Sequence, residues 1–146
     1  MCRGIVYFVI ACSLAVGAFA QDSTDASYSG TWLLQNNSGT KLILEQHEDQ
    51  IRVREVNSSG TLVDYTCNTL GKECEIKDDG HKAKVSLWFN GNDLIELETR
   101  GSVVVKRKFQ IRKSGKEMEV ETIPIAPAGK SETVAFSETG EFIPLH

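Results

Sequence analysis

The chain has 146 residues, a formal net charge of −4 and only four cysteines. That length suits one domain with one hydrophobic core and leaves little room for a second. The mild acidity excludes a nucleic-acid binder built on a basic face, and it gives no support for docking on anionic membranes.

The chain opens MCRGIVYFVIACSLAVGAFA. One basic residue, Arg3, precedes an apolar run from Ile5 to about Ala15, and Ala18-Phe19-Ala20 follows. This order is that of a secretory signal peptide cleaved after Ala20, which predicts export to the periplasm or medium. A transmembrane helix would need roughly 20 apolar residues, so no transmembrane segment is expected in the mature chain. Val9-Ile10-Ala11-Cys12 keeps a lipoprotein anchored at Cys12 open as an alternative. Residues 21–29 then read as an N-terminal arm, 30–137 as one β-domain and 138–146 as a tail.

From Gly30 onward, short runs rich in Val, Ile, Leu, Thr and aromatics alternate with Gly, Asn and Asp, which predicts strands and turns throughout. The first strands are Gly30 to Leu34, Lys41 to Gln46, Gln50 to Val56, Thr61 to Cys67 and Cys74 to Lys77. The later ones are Lys82 to Asn90, Asp93 to Arg100, Val103 to Arg112, Glu117 to Ile125 and Thr133 to Ser137. Asn90-Gly91 gives the strongest hairpin signal, as the pair suits a two-residue turn. Nearly every connection is short, so sequential strands should pair antiparallel in an up-and-down meander. The expected fold is all-β, with eight to ten strands closing into a barrel; a sandwich would need longer crossovers than the sequence offers.

Once the signal is removed, Cys67 and Cys74 are the remaining cysteines, and in an exported chain they read as one disulfide. A loop this short gains about 2–3 kcal/mol from the bridge in the chain-entropy picture. Strand alternation then sorts the faces. Ala83, Val85, Leu87 and Phe89 share one face, as do Ile51 with Val53 and Met118 with Val120. By the same reading Ile95 and Leu97 point inward, against Glu96 and Glu98. Two residues break the pattern: Trp88 falls on a charged face, and Arg107 on the otherwise apolar face of Val103, Val105, Phe109 and Ile111.

The search for chemistry is brief. His47, His81 and His146 sit in turns or the tail without a second ligand at metal spacing, so no metal site is expected. Asp78-Asp79-Gly80-His81 has the composition of a solvated turn. No nucleophile elbow is present, and the strand carboxylates alternate outward, so neither an enzyme nor a cofactor is indicated. Asn36 and Asn57 match the N-glycosylation pattern, which ordinary turn composition explains equally well.

Ser29-Gly30-Thr31-Trp32 puts a Gly-x-Trp on the first strand of the domain. In this it resembles lipocalins and their calycin relatives, whose tryptophan closes the bottom of the barrel under an arginine from a late strand. The resemblance implies a barrel-closing pair here, Trp32 and Arg107. The stretch GTWLLQNNSGT is also similar to the opening of avidins, but their tryptophan-rich pocket has no counterpart and no biotin site follows. The block GKECEIKDDGHKAKVSLWFNG with VVKRKF resembles small exported bacterial proteins described as lipocalin-like, which implies a fold and no activity.

The function expected is therefore non-enzymatic: a small apolar ligand held inside the barrel. Its lining would come from Leu42, Leu44, Ile51, Val53, Val85, Leu87, Phe89, Leu97 and Phe109. The alternative is a protein-binding module, such as an exported protease inhibitor, using its loops or arm with Trp88 as an anchor for the protein partner.

Overall fold

A computed structural model describes residues 27–36, 38–78 and 80–140. The signal peptide with Cys12, most of the arm, and Asp79, Phe142, Ile143 and His146 lie outside the described residues. Ten antiparallel strands form one sheet in the order β4-β3-β2-β1-β10-β9-β8-β7-β6-β5. They are β1 (Gly30–Leu34), β2 (Lys41–His47), β3 (Gln50–Asn57), β4 (Gly60–Asn68), β5 (Cys74–Asp78), β6 (His81–Asn90), β7 (Asp93–Arg100), β8 (Val103–Arg112), β9 (Glu117–Ala126) and β10 (Glu132–Glu138).

Each strand pairs with its sequence neighbours, except that β1 also pairs with β10 and that β4 and β5 are the sheet's two edges. The sheet curls into an up-and-down barrel with a single seam, between β4 and β5. Short turns make the meander. Asn90 faces Asp93 across the strongest hairpin, so Gly91 and Asn92 form the turn, one residue later than expected. Gly91 has φ +63° while Asn92 has no positive φ, which matches the turn that wants glycine first.

The seam is closed at one end and open at the other. At the closed end the Cys67–Cys74 disulfide joins the two edges, with Cα atoms 5.7 Å apart. Just beyond it, Leu70 forms a bridge with Trp88 of β6, and the Gly71 N–H donates to the Leu87 carbonyl at 2.8 Å. This crossing covers Trp88, leaving it half-buried on the outer surface with Ile95 opposite it on β7.

Cross-strand partners share a face, so the register fixes the inside. Val85 faces Glu98, Leu87 faces Glu96 and Phe89 faces Leu94, which puts Leu94, Glu96 and Glu98 in the interior. Ile95 and Leu97 therefore face outward, contrary to the alternation read from the sequence. The physical reason lies on β8: Arg107 stands directly opposite Glu96, and an inward cation brings its counter-charge inward.

Candidate functional site

The interior divides into two parts. The first is an apolar core: Tyr28, Trp32, Leu44, Ile51, Val85, Leu87, Leu94, Met118 and Phe109 belong to one buried cluster. Gly30 is what seats Trp32. Its φ of +153° is one that side chains rarely adopt, and a Cβ there would stand 3.6 Å from the indole nitrogen. The indole N–H donates to the Tyr28 carbonyl at 3.2 Å, and Trp32 is 1% exposed.

Tyr28, which the sequence reading left in the arm, is fully buried and ties three elements together. Its hydroxyl accepts from the Leu94 N–H at 3.2 Å. It lies 2.5 Å from the Asn92 carbonyl and 2.9 Å from that of Phe109, to which it donates. Its ring meets Phe89 with centroids 5.9 Å apart. Burial pushes this hydroxyl up to about 12, against the pull of the Leu94 hydrogen bond. The signal that would have found it is the alternation itself, since Tyr28, Gly30, Trp32 and Leu34 are in phase.

The second part is hollow and polar. A cavity of about 220 Å³ lies at the open end of the seam, between β4 and β5. Leu62, Val63 and Ile76 give it an apolar wall, while Tyr65, Glu98, Arg100 and Arg107 give it a polar one. Asp64 and Lys77 also line it, and Asp64 accepts from Arg52 at 3.0 Å in a two-pronged ion pair.

Beneath the cavity runs a charged layer. Glu96, 1% exposed, accepts from Arg107 Nη1 at 3.0 Å and from the Tyr65 hydroxyl, which reaches it from β4 across the interior. Burial raises the Glu96 carboxyl above its ordinary value, and the Arg107 charge and Tyr65 hydrogen bond oppose the rise. Tyr65 is pushed well up by burial and by the Glu96 charge. Next along β7, Glu98 accepts from Arg100.

Most of the expected lining residues lie elsewhere. Leu42, Leu44, Ile51, Val53, Val85, Leu87 and Phe109 belong to the packed cluster, Phe89 packs against it, and Leu97 points outward. Of the sequence-derived candidates only Arg107 touches the cavity. Its partner is Glu96, and no cation–π contact joins it to Trp32 among the described residues. Trp32 is instead hydrogen-bonded to Tyr28. The residues of the cavity and its charged layer that sequence reasoning missed include Tyr65, Glu96 and Glu98.

Many solved structures match the chain, among them three of similar quality. A REP1-NXSQ fatty acid transporter is 14% identical, with a TM-score of 0.65 over 78% of this chain and 97% of its own. Fatty-acid-binding protein 1 of Echinococcus granulosus is 11% identical, with a TM-score of 0.64 over 77% and 98%. The fold is that of a calycin-type barrel. A secretory abundant heat soluble protein of Ramazzottius varieornatus shares it, at 12% identity and a TM-score of 0.62 over 77% of this chain and 95% of its own. No family model and no curated protein matches the sequence. Among the described residues, no helix is long and apolar enough to cross a membrane, and no three His, Cys, Asp or Glu side chains are grouped to hold a metal.

Proposed function

We propose that the protein is a non-catalytic container that binds a small amphiphile in the seam cavity. One observation carries this reading: a calycin-type barrel with a cavity at the open end of its seam, lined by both apolar and polar residues. Leu62, Val63 and Ile76 would take the apolar part of the ligand, and the Arg107–Tyr65 layer its polar end. Two of the similar structures are a fatty acid transporter and a fatty-acid-binding protein, which supports an amphiphile as the class. At about 220 Å³ the cavity falls below the roughly 300 Å³ at which ligand pockets usually begin, so the ligand is short. The disulfide supports an exported setting, where such a bridge persists.

Native mass spectrometry of the protein isolated from its own host tests the reading. The expected spectrum contains a retained small-molecule mass that disappears in a folded Val63→Trp variant, whose indole fills the cavity. Bare protein in both samples, with no uptake of added short-chain amphiphiles, would overturn it.

A further inference from the structure

The charged layer under the cavity is already balanced from within. Arg107 stands opposite Glu96 on neighbouring strands, and its guanidinium is bound to that carboxylate at 3.0 Å. The second inward arginine, Arg100, is bound to Glu98. A third carboxylate, Glu55, sits on the inward row of β3 opposite Val63, and its charge is felt at Arg107. Two inward cations therefore face three inward carboxylates, Lys77 and Asp64 add one charge of each sign to the cavity lining, and the region offers no net positive charge to an anion.

Resting on the reading of the cavity as a ligand site, we propose that it selects amphiphiles with an uncharged, hydrogen-bond-accepting head group. It discriminates against the matching carboxylates because Glu96 already serves as the internal counter-ion of Arg107. A ligand carboxylate would have to share Arg107 with Glu96, leaving two like charges close together, or else displace it. Displacement strands a carboxylate that is 1% exposed, and removing the partner of a buried charge is among the most costly changes a protein interior can undergo. Tyr65 makes this harder, as its hydroxyl is spent on the other oxygen of Glu96.

An uncharged oxygen meets no such obstacle. Only one end of the Arg107 guanidinium is used in the Glu96 ion pair, and the side chain, 35% exposed, lines the cavity. A hydroxyl or ester oxygen can accept from the remaining N–H groups without disturbing the pair. An alkylammonium carries no acceptor for those N–H groups, and the cavity it would enter is lined by the cations Lys77, Arg100 and Arg107. The site thus excludes by charge what it does not exclude by shape.

Isothermal titration calorimetry on the purified protein at neutral pH, with 1-octanol, octanoate and octylammonium as matched probes, tests this. The expected order has 1-octanol tighter than either ion by about tenfold or more. In Glu96→Gln, which keeps size and hydrogen-bonding capacity while releasing Arg107, octanoate should gain at least about tenfold over 1-octanol. Wild-type protein that prefers octanoate or octylammonium would overturn the head-group proposal and leave the container reading standing. Failure of all three probes to bind would overturn both.

Discussion

The packed half and the hollow half of this barrel are built from the same strands and obey different rules. Along β6 and β7, Phe89 and Leu94 meet near the Asn90–Asp93 turn, in the solid cluster around Tyr28. Farther along the same pair the inward residues become Glu96 and Glu98, facing Leu87 and Val85. In the first half apolar area removed from water stabilises the fold, at about 25 cal/mol per Å². In the second, Glu96 is buried with Arg107 and Tyr65 as its partners, and such pairs contribute specificity more readily than stability. Apolar packing is concentrated where the seam is closed, and the proposed ligand site lies where it is open.

Substitutions should separate the halves by size of effect. The largest is expected for Trp32→Ala, about 3–5 kcal/mol of lost stability in urea unfolding, because the void lies in a cluster with no freedom to collapse. Reducing Cys67–Cys74, or replacing both by Ser, should cost about 2–3 kcal/mol by releasing the short loop at the closed end of the seam. Tyr28→Phe should cost about 1–3 kcal/mol, as it leaves the Leu94 N–H and the Asn92 and Phe109 carbonyls without their hydroxyl partner. At the other extreme, Leu62→Ala on the cavity wall should change stability by no more than about 0.5 kcal/mol, since Leu62 is already 45% exposed. A Leu62 effect comparable to that of Trp32 would erase the distinction between the two halves.

Alkaline titration offers a separate check on the closed end. Tyr28 keeps its proton up to about pH 12 when folded, whereas the unfolded chain loses it near the ordinary value of 10.0. Between those values the native state binds the extra proton. The stabilisation is therefore whole below pH 10 and is lost as pH rises toward 12. The midpoint of thermal unfolding should fall across that window. The fall should be shallower in Tyr28→Phe, with the remaining slope coming from Tyr65, which is also held up by burial.

The strands were legible in the sequence because a half-solvated barrel writes its pleat as alternation. Ala83, Val85, Leu87 and Phe89 could be assigned to the inside for that reason, and the turns follow from Gly and Asn between apolar runs. β7 was misread because Leu94-Ile95-Glu96-Leu97 fits either phase. Outward Ile95 is buried between Trp88 and Lys108 of the flanking strands, so an apolar residue there does not mark the core. The buried carboxylates were illegible for a related reason: a Glu pairs with an interior cation only through strand register, which no local pattern encodes. Arg107 was the one visible trace of that layer, an arginine on an apolar face, and its true partner lay eleven residues back along the chain.

The central claim is that the hollow half, and not the packed half, receives the ligand. Methyl-resolved NMR during titration with 1-octanol tests it most directly. The account predicts saturable shifts at Leu62, Val63 and Ile76, with Leu44, Ile51 and Leu87 unmoved. Shifts centred on that packed trio, or on Leu70 over the outer face of Trp88, would contradict it.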